Sequence, residues 1–207
     1  MPGRPARNGE VSFWWSDVGR PAARTPLAGP TEVDVAVVGA GYTGLWAAYY
    51  LARAAPQLRI AVLERRFAGF GASGRNGGWL TSAPAGLRRR QAAIHGRDAV
   101  VALQREMIAT VDEVLGRLTA EGVDADAVKG GVLQVARNPA QLERLAAFVA
   151  EEQSWGDPDA LLLDATQTRA RIDIPDAVGG AFSPHTARIH PAKLVAGLAR
   201  AVERHGV

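Results

Sequence analysis

The stretch Gly-Ala-Gly-Tyr-Thr-Gly at residues 39–44 constrains the fold of this chain more than any other feature, because of what stands on either side of it. Before it, residues 33–38 read VDVAVV, an apolar, β-branched run with the character of a buried parallel strand. After it, Leu45, Ala48, Tyr49 and Ala52 recur at helical spacing, which predicts a helix over residues 42–55 that Pro56 stops. A second apolar run, residues 60–63, ends at Glu64, about twenty residues beyond the last glycine of the motif. Each glycine then has a physical task. Gly39 permits a tight turn, Gly41 lets a pyrophosphate approach the backbone with no Cβ in the way, and Gly44 lets helix and strand pack closely. Free amides at Tyr42 and Thr43, at the helix start, offer partial positive charge to the phosphates. Glu64 can accept from the ribose hydroxyls of an adenosine, a charge-assisted bond of about 1.5–3 kcal/mol. Three glycines alone are a weak signal, and a glycine-rich α/β turn without a ligand is the plain alternative. Strand, glycines, helix, strand and acid together predict dinucleotide binding.

The segment after the acid decides between dinucleotides. A nicotinamide-dependent dehydrogenase ordinarily continues there into another crossover helix, whereas this chain gives RRFAGFGASGRNGG at residues 65–78. Residues 68–78 are too rich in glycine for a helix and too irregular for a strand. Such a backbone can run beside a large ligand and point amides and the Ser73 hydroxyl at it, which suits a flavin laid along a loop. A plain surface loop, an NAD(P)-dependent dehydrogenase fragment and an inactive remnant or binding module are the alternatives at this point.

VDVAVVGAGYTG, VLERR and GFGASGRNGG strongly resemble the D-amino-acid-oxidase-like (DAO) family of FAD-dependent oxidoreductases, in its gamma-glutamylputrescine oxidase-like branch. SFWW at residues 12–15, GGVLQVA at 130–136 and IHPAKLVAGLARAVERHGV at 189–207 are similar to that branch too, with less specific motifs. The resemblance implies an α/β fold: a Rossmann-like FAD-binding βαβ unit of the glutathione-reductase type, followed by the beginning of an α+β substrate domain. It implies oxidation of a C–N bond in an amine or amino acid by hydride transfer to the flavin, with oxygen the usual acceptor. By matching position, Gly39, Gly41 and Gly44 with the Tyr42 and Thr43 amides would hold the pyrophosphate, Glu64 the adenosine ribose and Arg65 the adenine side. Ala72, Ser73, Asn76, Gly77 and Gly78 would line the flavin and its ribityl chain. No catalytic residue is assigned, since family members place substrate contacts later in the chain, and Arg75 is the best local candidate for an anionic group. The family continues past the helix that here closes near Gly206, so the chain reads as truncated, a fragment, or a piece that needs a C-terminal segment or partner chain.

The rest of the chain divides accordingly. Residues 1–30 hold Pro2, Pro5, Pro21, Pro26 and Pro30, which exclude a long helix or strand and leave an arm pinned to the body by Phe13, Trp14 and Trp15. Residues 31–90 and 190–207 form the partial FAD-binding domain, and 91–189 a helical region with the start of the substrate domain. Within these, Val101, Met107, Ile108, Val111, Val114, Leu115 and Leu118 predict an amphipathic helix over 98–121. A strand is expected at 132–136, a helix from Pro139 to about 153, a capping box at Asp164 and Gln167, a strand at 181–182, and a helix from Pro191 with Leu194, Leu198 and Val202 on one face.

Of 207 residues, 47% are hydrophobic, enough for one good-sized core or two small ones. The formal charge of +3 comes almost wholly from arginine, and the densest run, Arg88-Arg89-Arg90, lacks interleaved aromatics and reads as a solvated helix face, with no nucleic-acid partner. Cysteine is absent, which excludes disulfides, thiolate metal sites and a cysteine nucleophile. His95, His185, His190 and His205 follow no metal-ligand spacing and read as surface or structural residues, so no metal is expected. With no apolar leader and no run of about 20 apolar residues, a soluble, cytoplasmic protein without a membrane partner is expected, acting on a small amine or amino acid.

Overall fold

The computed structural model describes residues 11–207. In chain order its elements are α1 (Phe13–Val18), β1 (Val35–Val38), α2 (Tyr42–Ala54), β2 (Ile60–Leu63), a 3-10 turn (Ala72–Gly74), β3 (Trp79–Thr81), α3 (Arg88–His95) and α4 (Arg97–Ala120). There follow β4 (Val128–Lys129), β5 (Val132–Ala136), α5 (Pro139–Ser154), β6 (Leu161–Asp164), α6 (Ala165–Arg169), β7 (Gly179–Ser183), β8 (Thr186–Arg188) and α7 (Pro191–Arg204). The chain separates into two units. The first takes in the described residues through Gly78 with Gly116–Ala127 and Ile189–Val207, and the second Trp79–Leu115 with Val128–Arg188. No described helix is long and apolar enough to cross a membrane.

In the first unit β1 and β2 pair in parallel, Val35 opposite Ile60 through Val38 opposite Leu63. Parallel strands need a crossover, and α2 supplies it. Leu45, Ala48, Tyr49 and Ala52, the four positions expected to face inward, are the four it buries. Asp34 clamps the entry of the two strands by accepting from the Arg59 backbone amide at 2.9 Å and from its guanidinium at 2.9 Å. The Arg59 side chain, with help from that amide, holds the Asp34 carboxyl down at about 2. α7 packs on α2, on α1 and on the 3-10 turn. As expected it buries Leu194, Leu198 and Val202 and leaves Arg200, Glu203 and Arg204 exposed, but the buried face is wider than that stripe and also takes in Pro191, Ala192, Val195, Gly197, Ala199 and Ala201. Mostly small residues widen the buried face, because three elements pack on the helix.

The N-terminal arm differs from expectation in only one of its aromatic anchors. Its residues 1–10, with Pro2 and Pro5, lie outside the described residues. The remainder forms one six-residue helix, α1, capped by Ser12, whose hydroxyl accepts from the Trp15 amide at 3.4 Å. Trp15 is only 2% exposed and Trp14 is half-buried, but Phe13 is 63% exposed and pins nothing.

The second unit holds two antiparallel three-stranded sheets, ordered β3-β8-β4 and β5-β7-β6. α5 covers the latter, packing Leu145 and Val149 against Ala160 and Ala181. Its start is set as expected, with Pro139 in the first turn and the Asn138 side chain accepting from the Gln141 amide at 2.9 Å. The capping box of α6 is present in both directions. β3, β4, β6 and β8 are two to four residues long and carry no readable alternation. The basic run at the start of α3 is a correction too. Arg89 and Arg90 are exposed, but the Arg88 side chain is only 16% exposed, and its guanidinium donates to both carboxylate oxygens of Glu152 and to Gln104 Oε1 at 2.8 Å.

Candidate cofactor site

The glycine turn follows directly from β1. Gly39 takes φ +101° and its amide donates to Leu63 O at 2.8 Å, tying the turn to the end of β2. A Cβ on Gly44 would stand 2.1 Å from Gly39 O and 3.0 Å from Val37 Cγ1, so helix and strand approach here only because that atom is missing. Gly41 caps α2 without any side-chain acceptor, and a Cβ there would meet only the Ser73 hydroxyl at 3.1 Å.

That hydroxyl changes one expectation. The Tyr42 amide is engaged, donating to Ser73 Oγ at 2.9 Å. An electron-rich oxygen from the glycine-rich loop therefore sits at the positive end of α2, where a phosphate oxygen is favoured for the same reason. The Gly69 amide donates to Ala40 O at 2.9 Å, a second tie between turn and loop. Glycine turn and loop, separate motifs in the sequence, form one surface.

Glu64 lies exposed at the end of β2. Its Oε2 accepts from the Ala40 amide at 3.1 Å and its Oε1 from the Arg66 amide at 2.9 Å. Each carboxylate oxygen has two acceptor sites, so both retain capacity toward a ribose hydroxyl. Arg65 is exposed beside it, as are Ala72 and Gly77 in the loop, while Gly78 is buried. The Asn76 side chain holds the loop's own path: Nδ2 donates to Ser73 O at 3.0 Å, and Oδ1 accepts from the Gly78 amide at 2.9 Å. Tyr42 reaches across to α7, donating to Pro191 O at 3.2 Å, and burial pushes its phenol up to about 12. Arg75 is turned back on the loop, its Nε donating to Phe70 O at 2.7 Å with its guanidinium over the Phe70 ring, so it braces the loop. The fit to a dinucleotide is therefore a matter of shape and donors: a side-chain-free cradle at Gly39 and Gly41, a helix start that already attracts an oxygen, and an oriented carboxylate.

Among the histidines, His95 ends α3 in solvent, His190 caps α7 by accepting from the Lys193 amide at 3.2 Å, and His205 lies 3.1 Å from Glu121. In the second unit His185 Nε2 lies 2.7 Å from Asp159 Oδ2 and 3.8 Å from Asp157 Oδ1, a set that could offer a cation three ligand atoms within 4.8 Å of one another. The sequence gives no sign of this cluster, because the pairing is made by chain reversal between residues 26 apart.

A family model described as FAD dependent oxidoreductase (DAO) matches residues 34–207. The chain is 35% identical over 174 residues to gamma-glutamylputrescine oxidoreductase of Escherichia coli (strain K12), a match that covers 84% of this chain and 40% of that protein. It is 30% identical over 184 residues to a probable oxidoreductase, OrdL, of Haemophilus influenzae, covering 88% and 42%. Among solved structures it is similar to L-amino acid deaminase from Proteus myxofaciens, with a TM-score of 0.68 at 18% identity over 90% of this chain and 39% of that one. At that identity the structural likeness speaks to the fold alone. The chain spans about two fifths of the length of these curated relatives.

Proposed function

Since the chain belongs to the DAO family of FAD-dependent oxidoreductases, we propose that it forms the cofactor-binding part of a flavoenzyme that oxidises a C–N bond in a small amine or amino acid. One observation carries the assignment of the site: the 2.9 Å bond from the Tyr42 amide to Ser73 Oγ, which joins the glycine turn to the loop beyond Glu64. Gly39, Gly41 and Gly44, with the amides of Tyr42 and Thr43, hold the pyrophosphate, and the Ser73 hydroxyl gives way to or shares with a phosphate oxygen. Glu64 takes the ribose through its spare lone pairs, and Arg65 lies along the adenine. Ala72, Ser73, Asn76, Gly77 and Gly78 border the ribityl chain and flavin, with Asn76 setting the curvature.

When bound, FAD supplies the hydride acceptor, and the protein supplies position and electrostatics. The substrate class rests on the names of the relatives: one acts on gamma-glutamylputrescine, an amine, and a structural neighbour on L-amino acids. Oxygen as the final acceptor is the finest part of the proposal. Titration of the protein with FAD and separately with NADH and NADPH tests the cofactor, with FAD expected to bind and the nicotinamides not. Tighter binding of either nicotinamide than of FAD would overturn it.

A further inference from the structure

We propose that α1 is a strap that sets the path of the glycine-rich loop, making Ser12, Trp14 and Trp15 positioning residues for the flavin half of the cofactor; this rests on the cofactor reading above. Three side-chain donors from its first turn and cap each end on a carbonyl of the same loop. Ser12 Oγ donates to Gly74 O at 2.7 Å, Trp14 Nε1 to Asn76 O at 2.7 Å, and Trp15 Nε1 to Gly69 O at 3.3 Å. These carbonyls are spread along the stretch that Ala72, Ser73, Asn76 and Gly77 belong to. The fit is close: a Cβ on Gly74 would stand 2.4 Å from Trp15 Nε1.

The strap is itself anchored. Trp15 packs edge-on against Phe67 with 5.2 Å between ring centroids, and Trp14 packs edge-on against His190 at 4.9 Å. His190 lies 3.2 Å from Asp17 through Nε2 and caps α7 through Nδ1. Just before that cap, the Ile189 amide donates to Gly78 O at 2.9 Å, so the far end of the loop is fixed at the same place.

A role confined to packing would not need this pattern. The buried Trp15 indole needs an acceptor wherever it packs, but Ser12 and Trp14 are only half-buried and donate to loop carbonyls where water could serve, and a six-residue helix has little stability of its own to organise. Instead the donors hold the loop from one side. At Gly71 and Gly77 a Cβ would have no neighbour within 4 Å, so there the loop stays open. Glycine-rich backbone loses more freedom on ordering than any other, and a loop already ordered by α1 spares the ligand that loss.

The consequence separates the two halves of FAD. ADP calls on the glycine turn and Glu64 and meets the loop only at Ser73, whereas the flavin and ribityl chain call on the length of the strapped loop. Affinities of FAD and ADP should be measured by calorimetry for the 207-residue chain and for Trp14→Phe, Ser12→Asp and Ser12→Thr. Aspartate still accepts from the Trp15 amide and so keeps the helix cap, but it cannot donate to Gly74 O; threonine keeps both bonds. Trp14→Phe and Ser12→Asp should each weaken FAD roughly three- to tenfold, the worth of one net hydrogen bond, with ADP changed less than about twofold. Ser12→Thr should bind FAD as the parent does. Unchanged FAD affinity in both Trp14→Phe and Ser12→Asp, or a parallel loss of FAD and ADP that marks general destabilisation, would overturn the strap. Failure of the parent chain to prefer FAD over NADH would instead remove the cofactor reading beneath it.

Discussion

Gly44 and Gly41 belong to one turn, yet a side chain damages each in a different way. At Gly44 the new Cβ meets backbone, 2.1 Å from Gly39 O, and neither partner can swing aside. Gly44→Ala should therefore cost roughly 1–3 kcal/mol of stability, seen as a lowered denaturant midpoint by circular dichroism. At Gly41 a Cβ meets only the Ser73 hydroxyl, at 3.1 Å, a side chain that can turn aside where backbone cannot, so Gly41→Val should cost less stability than Gly44→Ala, yet it should abolish FAD binding in a fluorescence titration because the valine occupies the phosphate's approach. Equal loss of stability in both variants would mean that Gly41 serves the fold rather than the ligand. Glu64→Gln should weaken FAD by about tenfold rather than abolish it, since a charge-assisted bond becomes a neutral one. The turn at Gly39 and the close packing at Gly44 were legible because spacing within one βαβ unit determines them. The occupant of the Tyr42 amide was not, because Ser73 is 31 residues away and only the folded loop delivers it. Arg88 was misplaced for the same reason, its partner Glu152 lying 64 residues on.

Glu121, just past the end of α4, gathers groups from two other helices. Its carboxylate accepts from the Tyr49 hydroxyl of α2 at 2.7 Å, lies 3.6 Å from Arg53 and 3.0 Å from Arg204, and meets His205 at 3.1 Å. The His205 contact, then the Tyr49 hydroxyl, hold its carboxyl down at about 2 against an ordinary 4.5, while burial pushes the Tyr49 phenol up. A carboxyl depressed in the folded state stabilises it fully above the unfolded value and loses that contribution as pH falls toward the folded one. Denaturant midpoints of the parent and Glu121→Gln, measured at a series of pH values, should differ near pH 6 and converge as pH drops from 4.5 toward 2. A gap that persists undiminished at the acid end would show that the carboxylate's charge contributes nothing. Among elements, α2 was legible in full, since one face meets one core. The burial of α7 exceeded its stripe because α1, α2 and the 3-10 turn all press on it, and no single-helix periodicity encodes three neighbours. The short strands of the second unit were illegible since two to four residues cannot display an alternation, and their pairing is decided by distant partners.

At the scale of the whole molecule, the groups assigned to the cofactor all lie in the first unit, and its sheet consists of two strands. Parallel sheets are ordinarily covered on both faces and extended by further strands, yet Val38 is 86% exposed and Leu63 40%. Among the described residues no third strand pairs with β1 or β2. Bare apolar strand ends favour association, so light scattering at increasing concentration should show oligomers of the 207-residue chain. Binding and turnover should also come apart. On the proposed reading the glycine turn, Glu64 and the strapped loop hold FAD, but hydride transfer needs the donor carbon held about 3–3.5 Å from its acceptor, in a site closed to water. The loop is open at Gly71 and Gly77. The FAD-loaded chain, mixed with small primary amines and amino acids, should therefore keep its oxidised flavin spectrum under anaerobic conditions and release no peroxide in air. Bleaching of the flavin band by an amine would show that the groups that hold the donor carbon lie within these 207 residues.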